Sequence, residues 1–174
     1  MDRVTIREAA SGDIAFLREM LFEVWLWDPE RSRDDHAVWA AAYEASGQAN
    51  TREFGRQLGD VGLVAEADEP IGAAWYRLFS SDDHLRGFID EEIPEVAGIA
   101  VRPRFRGRGI GRGLMDRLID QACADGYPAL SLHVNARNGR ARALYESLGF
   151  IEHHRDDIGL VMLLSLRGRG RPFA

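Results

Sequence analysis

Residues 95–125 place the strongest constraint on how this chain folds. "EVAGIAV" (95–101) is an apolar run of strand length, broken at once by "RPRFRGRG" (102–109). The next residues switch to helical period: Ile110, Leu114, Met115, Leu118, Ile119 and Ala122 share one face, and Asp116, Arg117, Asp120 and Asp125 take the other. Gly126 and Pro128 end that helix in the order helix C-termini favour. A buried strand, a glycine-arginine turn and an amphipathic helix in direct succession require a sheet with helices laid on it.

The remaining segments fit that frame. "VTIREA" (4–9) alternates and predicts a first strand. Ser11 is placed to cap the helix that follows, whose apolar positions Ile14, Leu17, Leu21, Val24 and Trp25 recur up to Trp27 before Asp28-Pro29 stops it. "HAVWAAAYEA" (36–45) predicts a second helix ending at Ser46-Gly47, and "TREFGRQLG" (51–59) a further short one. "VGLVAEA" (61–67) and "PIGAAWYRLFS" (70–80) form a hairpin about Asp68-Glu69, followed by a loop over 81–94. "ALSLHV" (129–134) is a strand, "NGRARALYESLG" (138–149) a helix stopped by Gly149, and "FIEHH" (150–154) and "GLVMLLSL" (159–166) close the chain as strands. The order β-α-α-β-β-β-α-β-α-β-β, with no repeat or linker, predicts one α/β domain (an α+β mixed sheet) over 1–166. "RGRGRPFA" (167–174) is left as a basic, frayed tail.

Composition narrows the function classes. The net charge of −6 argues against nucleic acid as the partner, despite the arginine-glycine stretch. All 22 basic residues other than histidine are arginine, so neither a Schiff-base lysine nor a P-loop lysine exists. Cys123 stands alone, which excludes an intramolecular disulfide. No apolar run approaches the ~20 residues that span a bilayer, and no charged-then-apolar leader opens the chain. The expectation is a cytoplasmic protein without membrane partners.

The loop after the 95–101 strand suits an anion. The N–H groups of a first helical turn lack internal partners, the helix dipole adds about +0.5 charge, and glycine lets the backbone approach closely. Glycines at 107, 109, 111 and 113 do not give the dinucleotide spacing G-x-G-x-x-G. They do give R-x-x-G-x-G as Arg106-Gly107-Arg108-Gly109-Ile110-Gly111. With "GIAV" before it and "IGRGLMDRLID" after it, this segment resembles the acetyl-CoA-binding motif of the GNAT superfamily of N-acetyltransferases. "NGRARALYESLGF" (138–150) resembles that family's second conserved segment, at Asn138, Ala141, Tyr145 and Gly149-Phe150.

The resemblance implies a central twisted, mostly antiparallel sheet flanked by helices and splayed at the central strand. It implies acetyl-CoA as co-substrate, no metal, and an amine as the other partner. Backbone groups of Ile99, Ala100 and Val101 would hold the thioester and pantetheine arm, with Gly98 opening the strand locally. Arg106, Gly107, Arg108, Gly109, Ile110, Gly111, Arg112 and Asn138 would complete the cofactor site. Arg102 and Arg104 are as well explained as surface charges, and Arg112 by pairing with Asp116 one turn on.

Direct acetyl transfer needs a group to take a proton from the amine and another to give one to the departing thiolate. By the resemblance Tyr145 is the acid, with Glu95 as base at the start of the central strand. Glu66 and, more weakly, His133 are rival bases, and water is a further alternative. His153-His154 lacks company for a metal site. Asp90, Glu91, Glu92 and Glu95 would draw a small cationic amine if they are more than a solvated loop. Trp25, Trp27, Trp39 and Tyr43 either wall the acceptor pocket or belong to the core. Two other readings stay open: a cofactor-binding sensor without catalysis and an Arg/Gly nucleic-acid module. A homodimer by strand pairing is compatible with either closing strand.

Overall fold

The computed structural model describes residues 4–45, 54 and 60–169. Seven strands form one sheet: β1 Thr5–Glu8, β2 Val61–Glu66, β3 Pro70–Arg77, β4 Glu95–Val101, β5 Ala129–Asn135, β6 Ile151–Arg155 and β7 Gly159–Ser165. The helices are α1 Ile14–Trp25, α2 His36–Ala45, α3 Ile110–Ala124 and α4 Gly139–Leu148. The strand order is β1-β2-β3-β4-β5-β7-β6, and every pairing is antiparallel except β4 with β5. The expected mixed, mostly antiparallel sheet is what forms, in the expected element order.

Helices α3 and α4 cover one face. Leu114, Met115, Leu118 and Ala122 of α3 are fully buried against Leu63, Ile71, Ala74, Leu130 and Leu132, with Tyr145 and Leu148 of α4 in the same cluster. Helices α1 and α2 cover the other face, where Leu17, Met20, Leu21, Trp39 and Tyr43 pack on Val64, Ala73, Trp75 and Ala97. Each fully buried Leu or Met contributes roughly 1.5–3 kcal/mol, so these faces hold the helices in place.

Three local expectations change. Ser11 does not cap α1: residues 11–13 form a short 3-10 turn, and the Asp13 carboxylate accepts the Ala10 N–H at 2.8 Å. Helix α1 ends at Trp25, two residues early, and Leu26 N–H closes it on Phe22 C=O at 2.9 Å. Gly98 makes room for the Trp75 ring, since a Cβ there would meet it at 2.6 Å. It adjoins a bulge where Trp75 pairs with Gly98 but Tyr76 pairs with Val96. The short helix expected over 51–59, Phe54 apart, the stop at Ser46-Gly47 and tail residues 170–174 lie outside the described residues.

Candidate active site

The site begins where the sheet comes apart. β4 and β5 run parallel and register at one place, Glu95 opposite Ser131, where Ser131 N–H donates to Pro94 C=O at 3.0 Å. β4 stays paired with β3 through Val101 on its other edge. Its β5-facing edge is thereby opened from Val96 onward. The result is a cleft of about 780 Å³ lined by Val96–Val101 on one side and Leu132–Asn135 on the other. It runs from the α1–α2 face to the start of α3.

At the α3 end stand the glycines. Gly107 and Gly109 have φ of +76° and +79°, and a Cβ on either would meet nothing within 4 Å. The first internal bond of α3 is Gly113 N–H to Gly109 C=O at 2.9 Å, so the N–H groups of Gly111 and Arg112 lead the helix without internal partners. Gly107, Gly109, Ile110, Gly111 and Arg112 all line the cleft. A left-handed turn, an open cradle and the positive end of a helix coincide here, a combination suited to a phosphate.

The arginines divide. Arg106 lines the cleft but donates from Nε to Val101 C=O at 2.8 Å and from its terminal nitrogen to Glu23 at 2.9 Å. Burial pushes its guanidinium below the ordinary value, against the pull of Glu23. It therefore braces the loop against α1. Arg108 lies over the Phe105 ring at 5.5 Å, outside the cleft lining. Arg112 donates to Ser147 Oγ on α4 at 2.6 Å, which replaces the expected pair with Asp116. Arg102 binds Glu69 and Glu19, and Arg104 binds Glu69, so both act as surface charges.

Helix α4 supplies Asn138 and Tyr145. Asn138 is its N-cap, accepting Ala141 N–H at 3.1 Å, and lines the cleft. Tyr145 points into the same cleft and packs edge-on against Phe150 at 5.9 Å. Burial pushes its phenol up to about 12, so it stays protonated at neutral pH.

Glu95 sits at the fork, 2% exposed, with Oε1 accepting Gly87 N–H at 2.8 Å. It shares the cleft with His133, whose Nε2 lies 3.3 Å from Asp156 Oδ1. Glu66 is not brought to the cleft; at the far end of β2 it accepts from Arg7 Nε at 2.6 Å. Trp25, Trp27, Trp39 and Tyr43 line the α1–α2 side of the cleft, while Trp39 and Tyr43 also belong to the core. Asp90 and Glu91 are tied up locally, by Glu92 N–H and by Ser81. His153 and His154 lie 3.0 Å apart, Nδ1 to Nδ1, on the exposed β6.

Sequence reasoning passed over two parts of this site. Buried Glu23 anchors both Arg106 and Arg33. Buried Asp28 accepts from Arg137 at 2.9 Å and so ties the end of α1 to the β5–α4 turn across the cleft. Neither carboxylate has a motif around it; a charged residue on an otherwise apolar helix face was the available signal for Glu23.

Residues 17–150 match the model of the acetyltransferase (GNAT) family. A [ribosomal protein bS18]-alanine N-acetyltransferase of Salmonella typhimurium is 42% identical over 77 residues, covering 42% of this chain and 52% of that protein. A mycothiol acetyltransferase of Streptomyces coelicolor is 32% identical over 132 residues, covering 70% of this chain and 41% of that protein. The chain thus spans about half the length, or less, of these curated relatives. Among solved structures, yncA of Salmonella typhimurium with its cofactor acetyl-CoA superposes with a TM-score of 0.65 at 25% identity, covering 99% of both chains. The PaiA N-acetyltransferase of Thermoplasma acidophilum in complex with coenzyme A gives a TM-score of 0.69 at 17% identity, covering 94% of this chain and 99% of that one, a likeness of fold.

Proposed function

The chain belongs to the acetyltransferase (GNAT) family, and from that premise we propose that it is an acetyl-CoA-dependent N-acetyltransferase that acts on a primary amine by direct transfer. The observation that carries this reading is the fork between β4 and β5, which opens onto the Gly107–Gly111 cradle at one end and holds Glu95 at the other. An extended pantetheine arm fits an unpaired strand edge, because a strand edge offers it backbone hydrogen bonds. Ile99, Ala100 and Val101 provide that edge. Gly107, Arg108, Gly109, Ile110, Gly111 and Arg112 would receive the pyrophosphate on backbone N–H groups. Arg106 and Asn138 fix the two walls.

Acetyl-CoA supplies the activated acyl group. The side chains need only manage protons: the N–C bond forms, the C–S bond breaks, two protons leave nitrogen, one ends on sulfur and one reaches solvent. Tyr145 is the donor to sulfur, since it is protonated at neutral pH and faces the cleft. Glu95 draws the ammonium group to the fork and takes its first proton. Trp25 and Trp27 wall the acceptor side and favour an amine on a compact or apolar body.

The test is a panel of amines, including spermidine, an arylalkylamine, an aminoglycoside and a peptide beginning with alanine, with free thiol as the readout. Amine-dependent thiol release supports the reading. Acetyl-CoA binding by calorimetry with no thiol release from any amine would favour a sensor instead.

A further inference from the structure

Among the described residues five arginines line the cleft: Arg31, Arg86, Arg106, Arg112 and Arg140. Four of them are engaged. Arg31 donates to Trp25 C=O at 2.8 Å, and Arg86 lies 3.0 Å from both Asp156 and Asp157. Arg106 holds Val101 C=O and Glu23, and Arg112 donates to Ser147 Oγ. Arg140 is the exception. Among the described residues its guanidinium has no hydrogen-bond, ion-pair or ring partner. A cation aimed at a cleft and left without a counter-charge is a place for an anion from outside the chain.

Its position narrows which anion. Arg140 is the second residue of α4, two after the Asn138 N-cap, and Asn138 and Ala141 beside it line the same cleft. It is exposed, so it stands at the rim. A Cβ on the neighbouring Gly139 would meet nothing within 4 Å, so the space in front of this turn is open. α4 follows β5 and the glycine cradle follows β4, so Arg140 and the cradle flank the cleft from the two parted strands. Arg140 is also close enough to act on the start of the cradle. Burial is the main cause that pushes the Arg106 guanidinium below its ordinary value, and the charges of Arg140 and Arg33 add to it against the pull of Glu23. An anion beside Arg140 would relieve that repulsion.

The acyl donor of the proposed reaction carries phosphate of two kinds. Its pyrophosphate suits the backbone N–H groups of the cradle. The 3′-phosphate on its ribose is a monoester, largely dianionic at neutral pH, and lies farther out along the molecule. A solvated dianion matches an exposed guanidinium, whose fork of donors fits phosphate oxygens. We propose that Arg140 binds the 3′-phosphate of the acyl donor and so makes the chain selective for coenzyme A thioesters over acyl groups carried on a pantetheine arm without the nucleotide. The inference rests on the cofactor part of the function proposed above. The arginines that spacing assigned to phosphate have their side chains placed elsewhere, Arg106 on Glu23 and Arg108 over Phe105, which leaves this task to α4.

The experiment compares acetyl-CoA with acetyl-dephospho-CoA, which lacks only the 3′-phosphate, by calorimetry on the full chain. The parent should bind acetyl-CoA ~10-fold more tightly than the dephospho form. Arg140→Gln should lose that ~10-fold for acetyl-CoA and bind the dephospho form as the parent does. Its Tm should match the parent, because the side chain has no partner to lose. Rising salt should weaken acetyl-CoA binding more steeply in the parent than in Arg140→Gln. Arg142→Gln removes a cation of the same helix that pairs with Glu146 outside the cleft, and it should bind both ligands as the parent does. Parental acetyl-CoA affinity in Arg140→Gln overturns the inference. An equal loss for both ligands also overturns it, since Arg140 would then act on the pyrophosphate or on the shape of the cleft. A parent chain that binds neither ligand overturns the cofactor reading and the inference together. Because the readout is binding, a failure of acetyl transfer shows in the amine panel and not here.

Discussion

Glu95 faces Ser131 at the one place where β4 and β5 keep register, and the proposed site depends on that pairing. Ser131 is fully buried, and both its N–H and its hydroxyl donate to Pro94 C=O, at 3.0 and 3.4 Å. The fork is thus pinned from the β5 side just before the strands part. A carboxylate at the vertex and an unpaired strand edge above it are two results of the same break in pairing.

The glycine cradle is tested by adding charge. Gly109→Glu places a carboxylate at a φ of +79° where an anion is expected. It should reduce acetyl-CoA affinity by ~100-fold or more, measured by calorimetry. Gly109→Ala carries only the left-handed strain of about 1 kcal/mol and should lower Tm by about 2–4 °C. Unchanged affinity in Gly109→Glu would remove the loop from the phosphate site.

Tyr145→Phe keeps the ring against Phe150 and removes only the hydroxyl, which lacks a hydrogen-bond partner among the described residues. Stability should hardly move, and kcat should fall by ~100-fold with acetyl-CoA affinity preserved. Equal turnover would leave the departing thiolate to water.

Arg106 should behave as a brace as well as a cofactor residue. Glu23 is 4% exposed and held by Arg106 and Arg33. Removing one partner of a buried ion pair costs about 3–5 kcal/mol where no other cation remains, and less here because Arg33 does. Arg106→Ala should therefore lower Tm in the absence of acetyl-CoA, read by thermal unfolding. Arg108→Ala, at an exposed side chain that lies over the Phe105 ring, should leave Tm in place.

The parts of the fold that follow a period were legible from the residues alone. The run 95–101, the helical stripe of α3 and the order of the elements along the chain all needed only apolar spacing and glycine or proline punctuation. The cradle was legible for the same reason: glycines between a strand and a helix carry a backbone geometry with them. What the spacing could not show was which long-range partner each charge would find. Arg112 reaches Ser147 rather than Asp116, Arg106 reaches Glu23, and Glu66 is taken by Arg7, each across elements far apart in the chain. The relation of His133 to Asp156 depends on β7 returning beside β5, with a glycine at 159 that leaves space for the ring.

The start of α1 gives a prediction in pH. Ser11 has the side chain preferred at helix N-termini, yet Asp13 does the work, accepting Ala10 N–H at 2.8 Å and two bonds from Arg7 at 2.7 and 2.9 Å. The bonds from Arg7 hold the Asp13 carboxyl below its ordinary value, against the opposing effect of burial and with help from Ala10. A carboxyl whose value is lower folded than unfolded stabilises the fold above its unfolded value, near 3.9, and loses that contribution as pH falls through the folded value. Arg7 is 40% exposed, so solvent screening limits the pair to about 1 kcal/mol. Asp13→Asn should consequently unfold about 2–4 °C lower than the parent at pH 7, and the difference should shrink steadily below about pH 4. Ser11→Ala should unfold with the parent at both pH values. A Tm gap for Asp13→Asn that is the same at pH 3 and pH 7 would mean that its charge contributes nothing to this corner of the fold.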